Sequence, residues 1–375
     1  MESDSEFDIP DDEIEIIYSD SDEDGLDEEN IEEMIEGIEI NEAEVVDLAK
    51  FTFTKHAKSV FCSDLSGDSK LAVTGGQDDV AYVWDTESGE VVLECTGHKD
   101  SVTEVAFNHN DQYVATADMC GMIQVWDVAD KKLIWCFEGD DMLWLTWHPM
   151  ANVLVVGFQT GDIYIWQIPS GNTKVLPTAS SMPTTCGKIL PNGKQLLASY
   201  EDGILKLWDI KTSTAVWQNK QETPALQLAV NADASLAMLS PSSSLVKLTD
   251  GRTVSTLLSS GETEIEVALF ESEMNLLVTG GLSGRLCVWE SGKHALRHEA
   301  QIECPVTILK WGKNGQIFIG GSDGAIYVCN VKLGTLVETL TGHRSGILSI
   351  SVFKDGRKIL TTSDDGVAKI FDVKI

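Results

Sequence analysis

The residues of this chain that could do chemistry are histidines set a fixed distance ahead of an aspartate and an aromatic ring. His56 precedes Asp78 and Trp84, and His343 precedes Asp365 and Phe371, with 28 residues from histidine to ring in both sets. His98 stands at the same distance before Trp126, but Cys120 occupies the aspartate position, so this histidine needs another partner, for which Asp118 is the candidate. A His–Asp pair can orient an imidazole for proton transfer. Recurrence at one spacing argues instead for a structural role. No H-E-x-x-H or GxxxxGK[ST] motif is present, nor a GxGxxG after a strand, and the one G-x-S-x-G string, Gly320 to Gly324, includes a glycine pair that recurs with the repeat. The pairs Gly75-Gly76, Gly280-Gly281 and Gly320-Gly321 fall at one place in a repeat, where strands end. The eight cysteines include no CxxC pair, which suits buried thiols in a reducing compartment and disfavours a zinc site. The chain therefore reads as a non-enzyme, with no cofactor or metal expected.

The elements that position these residues follow from the spacing. With Trp126 as the ruler, equivalent positions are Trp84, Trp126, Trp166, Trp208, Thr249, Trp289, Cys329 and Phe371, at steps of 40 to 42 residues. Each unit alternates apolar and polar residues with the period of a half-buried strand, and Gly, Asn and Asp mark its turns, as at Asp202-Gly203. GH and WD marks on a period of about 40 to 45 residues resemble the WD-repeat β-propeller. An all-β, eight-bladed ring is predicted, or a seven-bladed one if the fifth unit, which has neither Trp nor turn Gly, is only a loop. In WD-repeat proteins the His, Asp and Trp form a buried hydrogen-bonded set, which the resemblance implies for His56, Asp78 and Trp84. The last unit ends at Phe371-Asp372 without an outer strand, and Val45 to Phe53 is the natural replacement, joining the two ends of the ring. The predicted domains are an acidic tail over residues 1–43 and a propeller over 44–375.

Charge separates the two. The formal charge is −33, and residues 1–50 carry 22 acids against one lysine. Such a block repels itself, so about the first 40 residues are expected to be disordered. Within it Ile31, Met34, Ile35 and Ile38 follow helical spacing, which suits a partner-bound helix. Ser3, Ser5, Ser19 and Ser21 each precede an acid by three residues, a context for an acidophilic kinase. No basic leader or bilayer-length apolar run appears, so a soluble, intracellular protein is expected, in the cytoplasm with the nucleus as a second compartment, and as a monomer. The shortage of bases disfavours nucleic acid and favours a basic partner.

In WD-repeat proteins one face of the disc is built from the loops leading into each blade and from the hairpin turns before the ruler position. Carried onto this chain, that face holds Asp79, Asp100, Asp140, Asp141, Glu201, Glu264, Glu303 and Asp364, with Trp144, Phe158 and Tyr200 near the same rim. Acids around aromatic faces would suit an Arg- and Lys-rich peptide. Trp144 stands apart, on the opposite parity from Trp147. A closer resemblance rests on SVFC, LAVTGGQDDVAYVW, CTGHKDSVT, WHP, TCGKILPNGK, YEDGILKLWD and ALRHE, in that order. These resemble the angio-associated migratory cell protein family over most of residues 56–375. The resemblance implies a dedicated chaperone of a basic large-subunit ribosomal protein, which the fungal counterpart holds on the acidic face of an eight-bladed ring. For animal members it implies a link to cell migration and angiogenesis, so the alternative is a cytoplasmic scaffold for signalling proteins.

Overall fold

The computed structural model describes residues 46–176, 182–258, 264–271 and 274–374. Those residues form eight four-stranded antiparallel sheets, each a blade of one propeller. Seven blades are consecutive in the chain. The first has strands Val60–Leu65, Leu71–Gly76, Ala81–Asp85 and Val91–Cys95, and the others repeat the pattern. Neighbouring blades touch chiefly through their first strands, which form the inner wall of the ring. The fifth unit is a true blade, with strands Gln227–Val230, Leu236–Ser240, Ser244–Lys247 and Thr253–Thr256. The acidic tail, with its helical spacing and its serines, lies outside the described residues.

The second strand of every blade carries two consecutive residues with no exposed surface. They are Ala72-Val73, Val114-Ala115, Leu154-Val155, Leu196-Leu197, Ala237-Met238, Leu277-Val278, Ile317-Phe318 and Ile359-Leu360. Consecutive strand residues point to opposite faces, so each blade is apolar on both flanks and needs a neighbour on each side. The eight core clusters accordingly combine residues of adjacent blades, as where Val73 and Val83 of blade 1 meet Val105, Val114 and Trp126 of blade 2.

The ring closes where its two ends meet. Strand Phe51–Phe53 pairs antiparallel with Ala368–Asp372 and supplies the outer strand of blade 8, with Phe51 opposite Ile370 and Phe53 opposite Ala368. Phe53 is buried and stacks on Trp84 of blade 1, with centroids 4.5 Å apart and planes 9° from parallel. The preceding residues extend the seam. Leu48 N–H donates to Thr341 O at 2.9 Å, and Asp47 pairs with the Lys369 ammonium.

The histidine sets form relays inside three blades. In blade 1, the Trp84 indole and His56 Nε2 both meet Thr74 Oγ1, at 3.3 and 3.0 Å, and His56 Nδ1 lies 3.0 Å from Asp78. An indole can only donate and a carboxylate only accept. Protons therefore run one way: Trp84 donates to Thr74, Thr74 to His56, and His56 to Asp78. Blade 2 repeats this with Trp126, Thr116, His98 and Asp118, so Asp118 replaces the aspartate missing at Cys120. Blade 8 has Thr361, His343 and Asp365, with the Phe371 ring 6.1 Å from the imidazole in place of a donor. Blade 4 keeps Asp202 and Trp208 at the repeat positions without a histidine, and Asp202 accepts the Ile204 N–H at 3.0 Å.

Two outcomes test this architecture. A chain beginning at residue 56 loses the seam strand and is expected to melt far below one beginning at residue 41, which keeps every seam contact described; equal melting temperatures would overturn the closure. Thr74→Val or Thr116→Val strands an imidazole nitrogen and an indole N–H, and each is expected to cost about 1–3 kcal/mol in denaturant unfolding. Thr→Ser at the same positions should recover most of that loss.

Candidate protein-binding face

Two loops of each blade meet at one end of the ring. The loop leading into the first strand is bonded to the hairpin between the second and third strands. Gln77 N–H donates to Ser59 O at 2.9 Å, Gln159 N–H to Asp141 O at 2.9 Å, Glu201 N–H to Pro183 O at 2.9 Å and Asp364 N–H to Gly346 O at 3.2 Å. This geometry brings Asp79, Asp100, Asp140, Asp141, Glu201, Glu264, Glu303 and Asp364 onto one face. All but Asp79 and Asp100 are exposed, and those two are half-buried.

The hairpins sort their acids by direction. In the pairs Asp78-Asp79 and Asp364-Asp365, one residue turns inward to its histidine and the other stays outside. Asp79 does so at φ 63°, a left-handed conformation that aspartate tolerates better than most residues. Burial works against the inward carboxylates, but the hydrogen bonds from His56 and Ala57 to Asp78, and from His343 and Arg344 to Asp365, hold both below the usual carboxylate range. Burial pushes His98 below the usual imidazole range, against the upward pull of Asp118. On the outer rim Asp100 accepts the Ser101 N–H at 2.7 Å and the Cys120 thiol at 3.4 Å, and Asp364 accepts the Ser59 hydroxyl. Lys55, Lys58, Lys99 and Arg344 are bases in the same loops, and Lys99 is ion-paired to Glu138.

Trp144, Phe158 and Tyr200 are not rim residues, which corrects the expectation from sequence. All three are buried. The opposite parity of Trp144 and Trp147 sends them to opposite flanks of blade 3: Trp147 donates to Ala106 O of blade 2 at 3.0 Å, while Trp144 packs toward blade 4. The Trp144 indole fills the space over Gly157 and Gly187, where a Cβ would approach it to 2.3 Å. Phe158 belongs to an aromatic cluster with Phe137, Tyr164 and Trp166, and Tyr200 has the Lys206 ammonium 5.1 Å from its ring centroid. The large apolar groups exposed in or beside these loops are not aromatic and include Met119, Leu143, Leu226 and Leu282. Met119 and Leu282 sit at hairpin tips, the one signal that would have found them.

The inner wall adds charges that sequence reasoning missed. Glu104, Asp64, Lys188 and Lys310 come from the first strands of blades 2, 1, 4 and 7, and each of the first three feels the charge of Lys310. Burial raises Glu104 to about 7, opposed by Lys310. Burial also raises Asp64, although the Phe107 and Leu65 amides donate to it, and lowers Lys188, which Lys310 repels. Among the described residues no three His, Cys, Asp or Glu side chains are grouped to hold a metal ion. Because the folded-state pKa of Glu104 lies above its unfolded value, its ionisation is a penalty that is full above about pH 7 and fades as pH falls toward the unfolded value near 4.3. Glu104→Gln is therefore expected to raise the melting temperature at pH 8 and to leave it unchanged at pH 4.5, read by scanning calorimetry across that range.

Comparison with known proteins agrees with the ring. The family model for the WD domain, G-beta repeat, matches residues 49–85, 89–127, 174–209 and 334–372. The crystal structure of Chaetomium thermophilum Sqt1 bound to the N-terminus of the ribosomal protein L10 superposes with a TM-score of 0.79 at 20% identity, covering 88% of this chain and 100% of that one. Ribosome assembly protein SQT1 of Saccharomyces cerevisiae is 22% identical over 86% of this chain and 86% of its own length. Angio-associated migratory cell protein of Homo sapiens is 35% identical over 362 residues, which are 90% of this chain and 83% of the human protein. With identity at that level running through nearly the whole ring, the chain belongs to the angio-associated migratory cell protein family.

Proposed function

We propose that this protein is a non-catalytic chaperone that holds a basic, Lys- and Arg-rich segment of a large-subunit ribosomal protein on the acidic face. The observation that carries this reading is the gathering of Asp79, Asp100, Asp140, Asp141, Glu201, Glu264, Glu303 and Asp364 at one end of the ring. Carboxylates on short loops can pair bidentately with guanidinium groups, and Met119, Leu143, Leu226 and Leu282 offer apolar contact between them. A charged ring also speeds encounter with an oppositely charged chain and suppresses wrong partners. The similarity to a fungal ribosome assembly protein, and to a solved complex of such a protein with the N-terminus of a ribosomal protein, supports this partner class. In this reading the protein works as a monomer in the cytoplasm, with the nucleus as a second compartment. It releases its cargo when pre-ribosomal RNA, a denser array of negative charge, competes for the same basic residues.

The 35% identity with the human angio-associated migratory cell protein favours a second reading, a scaffold for signalling proteins in migrating cells. Affinity purification at moderate salt, followed by mass spectrometry, separates the two. The chaperone reading expects one basic large-subunit ribosomal protein, lost when Asp140, Glu201 and Asp364 are together changed to lysine, with affinity falling by about 100-fold at three rim or hot-spot charges. Signalling components recovered without any ribosomal protein would overturn it in favour of the scaffold.

A further inference from the structure

Outer strands of several blades set a bulky side chain into the seam against the next blade, over the turn between that blade's third and outer strands. At the seam from blade 8 to blade 1 the plug is Phe51, whose ring stands where a Cβ on Gly89 would be and lies 5.8 Å from Trp84. From blade 2 to 3 it is Trp135, against Gly171 and 5.1 Å from Trp166. From blade 4 to 5 it is Trp217, which covers Gly251 and donates its indole N–H to Leu248 O at 2.8 Å. From blade 6 to 7 it is His298, against Gly334. These four occupy one register, opposite Ile370, Val125, Leu207 and Val288 of their own third strands.

In blade 3 the residue in that register, opposite Ile165, is Lys174. It has no ring to fill the seam. Its ammonium crosses to Lys211 O of blade 4 at 2.9 Å and leaves a cleft of about 460 Å³ beside it. Val153, Ile165 and Ile210 give the cleft apolar walls, and Gly193 and Lys194 close it from the first turn of blade 4. Met150, 60% exposed, lies beside Gly193 and extends the apolar surface outward. Lys174, Lys194 and Lys211 surround the opening, and among the described residues none of them is ion-paired. The acid in the lining, Asp209, accepts the Thr212 N–H and hydroxyl at 2.8 and 3.0 Å and is held ionised beside Lys211, so three lysines face one carboxylate and the lining stays net positive. The cleft opens among the turns at the end of the ring away from the acidic loops.

We propose that this cleft is a docking site for an acidic segment of a partner protein, which seats one bulky apolar side chain between blades 3 and 4 and sets its carboxylates against Lys174, Lys194 and Lys211. The cavity falls in the range of about 300–1,000 Å³ that suits a bound group of this kind, and an aromatic anchor buries a large area for little lost freedom. Charge complementarity chooses the occupant. On a chain of net charge −33 an acidic partner is repelled from most of the surface, and three unpaired lysines around an apolar opening are where that repulsion reverses. The site is independent of the acidic face and takes a ligand of the opposite sign.

The test uses the full chain and a fluorescein-labelled short peptide in which Leu-Trp is flanked on both sides by Asp and Glu. Anisotropy is expected to show saturable binding, and methyl NMR to show shifts at Ile165, Ile210 and Val153. Lys194→Glu with Lys211→Glu, exposed substitutions that leave the core untouched, is expected to weaken binding about tenfold, as is Ala-Ala for Leu-Trp in the peptide. Lys174→Trp places in this seam the kind of ring found at four others. It is expected to abolish binding while holding or raising the melting temperature and leaving capture of a basic peptide by the acidic face intact. Absence of binding, binding that survives Lys174→Trp, or equal binding of a peptide with Gln and Asn in place of its acids would overturn the proposal. So would the same methyl shifts arising from self-association without peptide, which would make the occupant a second copy of this chain.

Discussion

Burial on both flanks is the constraint from which the rest of this molecule follows. The paired buried residues of each second strand, such as Leu196-Leu197 and Ile317-Phe318, leave no blade with a face that can meet water. A stack of such blades would still expose an apolar flank at each end. A closed ring removes both ends, and here blade 8 is completed by the strand Phe51–Phe53 that precedes blade 1. The polar parts are then confined to loops at the two ends and to the inner wall. That confinement is why charge can be concentrated at one end without disturbing the packing.

The number of blades was legible because spacing is set by chain length per blade, not by particular residues. The fifth unit lost its tryptophan and turn glycine and still kept the 40-residue step, since four strands and their turns need that much chain. The relays were legible at their ends, where His and Asp are unusual residues, and hidden in the middle. Thr74, Thr116 and Thr361 are ordinary strand residues by propensity, and only the fold shows that their hydroxyls join imidazole to indole. Trp144, Phe158 and Tyr200 lie near loops in sequence, but a residue beside a turn can point into either neighbouring blade, and the sequence does not say how much room awaits it. Gly157 and Gly187 make that room for Trp144. Glu104 and Lys188 were missed for a related reason, because a charge within an alternating strand reads as a solvated face until the ring places it on the axis.

The acids of this chain fall into two populations with different electrostatic work. Asp78, Asp118 and Asp365 are consumed by imidazoles and by the backbone N–H groups of Ala57, Lys99 and Arg344, so they fix the leading loops. Their neighbours along the hairpins carry the field outward. A chain can therefore change the binding face by altering the second population while the first keeps the loops in place. The same division explains why histidine, the residue with the most catalytic potential here, is spent on shape: His56 and His343 have both ring nitrogens engaged inside the fold.

The closing strand also sets the order in which the protein can become itself. Phe53 and Ala368, partners across the seam, are separated by roughly 315 residues of chain. At about 5–20 residues per second of synthesis, the first strand emerges some 15–60 s before its partner exists. Throughout that interval Phe51 and Phe53 have no sheet to join, and the flank of blade 1 they later cover, with Trp84 at its centre, lies open. Pairing so distant in sequence is slow, since the loop must close before any contact rewards it. A keeper of newly made basic chains, as proposed above, would thus itself be exposed during its own synthesis, until Phe51 and Phe53 meet the strand Ala368–Asp372.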